Sequence, residues 1–110
     1  MRKVESAMIN AIENRVPVWK SSNTVVECTD GHDCKVYLHG ILIAEVSPEA
    51  ICVSFAGYET ATTRSRINAV LSAFVPEFRV CLGKNVGLYK DGKYWLPMEG
   101  HDSVRITRSN

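Results

Sequence analysis

Apolar residues at Val4, Ala7, Met8, Ala11 and Ile12 recur at the spacing of an amphipathic helix over residues 3–15. Pro17 cannot continue it, and the residue before a proline is pushed out of the helical region, so the helix stops by Arg15 or Val16. Lys20 to Asn23 reads as a short polar connector. Four extended segments follow. Thr24 to Cys28 is rich in strand formers, and Lys35 to His39 alternates Val36 and Leu38 against Lys35, Tyr37 and His39. Ile41 to Val46 is an apolar run suited to a central strand, and Ala50 to Ala56 alternates Ile51, Val53 and Phe55 against Cys52 and Ser54. The breaks between them are Asp30-Gly31-His32-Asp33, His39-Gly40 and Ser47-Pro48-Glu49, short enough to predict an antiparallel meander.

A second helix is predicted from the stripe Ile67, Val70, Leu71 and Phe74, with Thr60 or Thr62 as N-cap and Pro76 as its end. Beyond it, Phe78 to Leu82, Val86 to Tyr89 and Tyr94 to Leu96 form a smaller β region, with an Asp91-Gly92 hairpin signal. Residues 99–110 read as a flexible polar tail. The expected fold is α+β, α-ββββ-α-βββ: an antiparallel meander sheet packed on one or two helices, as a single domain of residues 1–110.

Composition narrows the function classes. The chain has 110 residues, 45% hydrophobic and 23% charged, an ordinary globular balance, and its net charge of +1 produces no field that by itself implies nucleic acid. Any basic surface must come from local clustering. No apolar run follows Met1-Arg2-Lys3 to make an export signal, and no segment has the roughly 18 apolar residues of a membrane span. Cys28, Cys34, Cys52 and Cys81 contain no paired C-x-x-C spacing and read as free thiols in a reducing compartment; a Cys28–Cys34 bridge at the mouth of one hairpin is the alternative.

Two segments carry candidate chemistry. Thr60 to Arg66 places Thr62, Thr63, Arg64 and Arg66 where a helix begins. Cations there oppose the helix dipole, and free N–H groups want an acceptor, so a phosphate would remove the conflict. The competing reading is a threonine-capped helix whose arginines are solvated or paired to acids elsewhere in the domain. The second segment is a sheet face carrying Lys35, Tyr37 and His39, together with Tyr89, Lys90, Lys93, Tyr94 and Trp95 on the last hairpin. Cations interleaved with rings suit single-stranded nucleic acid, although Tyr94 and Trp95 taken singly fit a core. Cys28, His32, Asp33 and Cys34 lack the spacing of structural zinc sites. A dyad of His39 with Cys52 or Cys81 has no supporting constellation, and no phosphate-binding glycine loop is present, so no enzyme, metal or cofactor is expected.

The stretches Val4-Glu5-x-x-Met8-Ile9-x-Ala11-Ile12, Val36-Tyr37-Leu38-His39-Gly40-Ile41-Leu42-Ile43-Ala44 and Thr62-Thr63-Arg64-Ser65-Arg66-Ile67-Asn68-Ala69 resemble a group of small, uncharacterised bacteriophage proteins. The likeness spans residues 2–75 and implies a phage origin and the host cell cytoplasm, with no catalytic residue to carry over. Four meandering strands followed by a helix are also similar to the repeat of Whirly-type single-stranded-DNA-binding proteins, an architecture that this chain would build only as a homodimer. The expected function is a phage accessory protein that binds single-stranded nucleic acid through Lys35, Tyr37, His39, Thr62, Thr63, Arg64 and Arg66. The alternative is a phage protein that binds and modulates a host protein without catalysis.

Overall fold

The structure, a computed structural model, describes residues 2–29 and 33–108. Its order is α1 (Lys3–Glu13), β1 (Val18–Ser21), β2 (Thr24–Cys28), β3 (Cys34–Leu38), β4 (Ile41–Val46), β5 (Ala50–Ser54), α2 (Ala61–Phe74), β6 (Phe78–Cys81), β7 (Gly87–Lys90), β8 (Lys93–Pro97) and β9 (Ser103–Thr107). The fold is α+β with wholly antiparallel pairing, in a six-stranded sheet ordered β1-β2-β3-β4-β5-β9 and a three-stranded sheet ordered β6-β7-β8.

Period-two burial sets the large sheet. Cys34, Val36 and Leu38 point into the core while Lys35 and Tyr37 point away from it. One cluster of buried side chains runs from Met8 and Ile12 through Val26, Val36, Val53 and Phe55 to Ile67, Leu71, Val80, Leu88 and Ile106, so both helices and both sheets share a core. A bulge at Ile43, opposite the Val36–Tyr37 step, keeps Tyr37 in register with Leu42 on the outer face.

Two expected irregular segments are strands. Of the expected connector Lys20–Asn23, Lys20 and Ser21 belong to β1 (Val18–Ser21) and Ser22-Asn23 form the turn, because an edge strand needs only one inward anchor, and Trp19 supplies it. The expected polar tail is β9 over Ser103–Thr107: it pairs with β5 in five-residue register and buries Val104 and Ile106. Two inward residues were too few to announce a strand. The chain reaches that edge by way of buried Met98 and the Gly57 N–H, which donates to the Gly100 carbonyl at 2.7 Å. The Asp91-Gly92 turn has φ of 51° and 81°, the paired left-handed geometry that a two-residue hairpin of matching twist requires.

Cys28 and Cys34 are joined by a disulfide, which corrects the reading of four free thiols; Cys52 and Cys81 are free. The cause is register. The two residues are cross-strand partners at the end of the β2–β3 ladder, with Cα atoms 4.0 Å apart, and the next pair outward is closed by the Thr29 N–H donating to the Asp33 carbonyl. The expected turn at Asp30-Gly31-His32-Asp33 lies, apart from Asp33, outside the described residues, as does the His32 of the zinc arrangement. The two cysteine sulfurs of that arrangement are bonded to each other.

Candidate nucleic-acid interface

The predicted site residues fall on three separate surfaces. Thr60 caps α2, its Oγ1 accepting from the Thr63 N–H at 3.2 Å and lying 2.9 Å from Thr63 Oγ1. Thr63 is thereby buried and satisfied, and Thr62 stands half-buried beside it. Arg66 is 5% exposed: its Nη1 donates to Glu5 Oε2 at 2.7 Å and its Nε to Thr24 Oγ1 at 3.0 Å. Glu5 also accepts from Ser65 Oγ at 2.5 Å. The guanidinium of Arg66 therefore ties α2 to α1 and β2 from inside the fold. Removing it from the expected ligand contacts is a correction with a plain origin: α1 turns Glu5 and Ile9 inward, where the sequence pattern had placed Val4 and Ala7.

Lys35 and Tyr37 lie on the outer face of the large sheet, on the side away from both helices, and so do not share a surface with Arg64. In register across the strands Lys35 sits between Glu27 and Glu45, so its charge is locally offset. His39 sits apart from both residues in the β3–β4 turn, at φ 52°. There it borders a cleft of about 480 Å³ with Leu38, Ile41, Ile43, Tyr58, Thr60, Thr62 and Thr63.

Arg64 faces a different neighbourhood. On the exposed side of α2 it joins Arg2, from the start of α1, and Arg79, from β6, around an open groove of about 500 Å³ whose remaining lining is Glu5, Ser65, Asn68, Ala69 and Ser72. Glu5 is already paired with Arg66, and among the described residues no other carboxylate comes within ion-pair distance of the three groove arginines. Asn68 fixes the groove wall. Its amide donates to the Val80 carbonyl at 2.9 Å and accepts from the Val80 N–H at 2.7 Å, which satisfies the otherwise open edge of β6 and locks that strand to α2.

From Arg79 the surface runs directly onto aromatic rings. Arg79 pairs with Tyr89, and Tyr89 with Tyr94, so all three share one face of the small sheet. The two tyrosines meet edge to face with centroids 5.6 Å apart; the Tyr89 hydroxyl donates to the Asn85 carbonyl, and Tyr94 is 47% exposed. On the opposite face Lys90 Nζ lies 5.0 Å from the Trp95 ring and 5.5 Å from that of Phe78. Tyr94 and Trp95 are surface residues, not the core residues they resemble singly. Arg2 and Arg79 escaped sequence reasoning altogether. Arg2 has only Lys3 beside it, Arg79 has no basic neighbour, and only the fold brings the two together.

Among the described residues no group of three His, Cys, Asp or Glu side chains is placed to hold a metal ion. Burial pushes the Cys52 thiol up, Glu45 adds to this, and Arg105 opposes it. No helix among the described residues is long and apolar enough to cross a membrane.

The element order, the Thr-Thr-Arg-Ser-Arg entry to α2 and the buried Glu5 that receives it define a small protein of α+β fold. The family model for the Kyanoviridae Gp96 protein matches residues 1–103, and the chain belongs to that family. Comparison with curated proteins and with solved structures finds no match.

Proposed function

We propose that this phage protein binds single-stranded nucleic acid, with the backbone in the Arg2–Arg64–Arg79 groove and bases against Tyr89 and Tyr94. The observation that supports the reading is the convergence of three guanidinium groups, without carboxylate partners among the described residues, on a groove that continues into exposed Tyr94 and half-buried Tyr89. Unpaired cations follow a phosphate backbone, and accessible rings stack bases without demanding a sequence. An open groove suits a flexible strand. The net charge of only +1 limits affinity to what the local cluster supplies.

Anisotropy titration of a fluorescein-labelled oligothymidylate tests this. Binding is expected at micromolar protein in low salt, with a slope of log affinity against log salt of about −2 for three phosphate contacts on a single strand. No anisotropy change at low salt refutes it. A host protein as partner has its own supporting observation in Trp95 and Leu96, which stand exposed on β8 beside Tyr94. That reading expects Trp95→Ala to abolish recovery of a host protein while leaving the oligonucleotide titration unchanged. The host cytoplasm as the place of action belongs to both readings, and in it the Cys28–Cys34 bridge would meet reducing thiols.

A further inference from the structure

The outer face of the large sheet carries two rows of side chains that read across the strands. In register, one row is Val18, Glu27, Lys35, Glu45, Cys52 and Arg105. A second row includes Lys20, Val25, Tyr37 and Leu42, the last two brought opposite one another by the bulge at Ile43. Both helices lie on the opposite side, and among the described residues neither Lys35 nor Glu45 makes an ion pair. Val18 and Leu42 are among the exposed large hydrophobic residues of the molecule. Beside Leu42, where the β4–β5 ladder stops at Ala44, the face sinks into a depression of about 210 Å³ bordered by Leu42, Glu45, Cys52, Ser54 and Ser103.

We propose that this face binds a second copy of the chain, about a two-fold axis that runs parallel to the strands between β3 and β4. An isologous interface must be self-complementary under its own axis. An axis across the strands would set each charge against itself. The axis along the strands sets Lys35 over Glu45 of the second copy, and Glu45 over its Lys35. The same operation lays Tyr37 over Leu42 of the second copy, with the depression next to it to receive the ring. One symmetry element thus satisfies the charged row and the apolar row together. The relation keeps the strands of the two sheets nearly aligned, as face-to-face sheet packing prefers. It leaves the arginine groove, on the other side of the molecule, untouched, so the inference stands independently of the nucleic-acid reading.

Charge exchange tests the axis. Light scattering on the eluting wild-type protein should give twice the monomer mass at tens of micromolar. Lys35→Glu leaves two acids at the axis and Glu45→Lys leaves two bases, so each variant alone should elute as a monomer. Mixed in equal amounts, they should recover a dimer, because the acidic pair of one then faces the basic pair of the other. Far-ultraviolet circular dichroism confirms that each variant is folded before mixing, and the double variant Lys35→Glu/Glu45→Lys, whose own copies are complementary, gives a second route to the same dimer. A wild-type monomer overturns the proposal, as does a dimer indifferent to both single changes, or single variants that stay monomeric on mixing.

Discussion

Arg64 and Arg66 differ by two positions on α2 and by nearly everything else. Arg66 turns toward α1 and spends its charge on Glu5 and its Nε on Thr24, out of water. Arg64 turns outward, joins Arg2 and Arg79, and among the described residues makes no ion pair with a carboxylate. The first is a structural tie between three elements; the second is charge left available for a partner. A helix advances 100° per residue, so a two-residue step crosses from one flank of the apolar stripe to the other. Whether a flanking arginine is buried or free is then decided by what stands beside it, and on one side that is a glutamate of the first helix.

The largest effect should separate these two arginines by stability. Arg66→Ala or Glu5→Ala strands a buried charge and should cost about 3–5 kcal/mol, read as a lower urea midpoint at unchanged slope. Arg64→Ala should stay within about 0.5 kcal/mol of the wild type. The pair Glu5→Leu/Arg66→Met should recover most of the loss, because it removes both charges together. Next in size is the Cys28–Cys34 bridge. Its sequence separation of six closes a short loop, for which chain entropy gives about 2 kcal/mol on changing both cysteines to serine.

Binding should then divide the two tyrosine surfaces. Tyr94→Ala should weaken oligonucleotide binding by about 1 kcal/mol, the low end for a stacking ring, because Tyr89 remains beside it. Tyr37→Ala, on the far side of the sheet, should leave that affinity unchanged, and equal losses for the two would erase the distinction. The smallest effect is electrostatic. Arg64→Ala and Arg79→Ala should each flatten the salt slope by about 0.7, with the fold intact by circular dichroism.

Much of the fold was legible because it is written in local patterns. The stripe of Ile67, Val70 and Leu71, the alternation about Val36 and the Asp91-Gly92 turn each announce their element, and each is present. Strands with one or two inward residues, β1 and β9, were not legible, because an edge strand is defined by the neighbour it joins. The candidate groove was legible only in part. Arg64 was singled out from its place at the helix start. The loss of Arg66 depended on the rotation of α1, and the gain of Arg2 and Arg79 on the docking of β6 through Asn68, contacts that span the chain and leave no local signature.

The account rests on the groove outside α2, and amide chemical-shift mapping addresses it directly. Adding a single-stranded oligonucleotide to ¹⁵N-labelled protein should shift Arg64, Ser65, Asn68, Ser72 and Arg79 together with Tyr89 and Tyr94, while Lys35 and Tyr37 stay in place. Shifts gathered instead on the outer sheet face, or no shifts at saturating oligonucleotide in low salt, would contradict it.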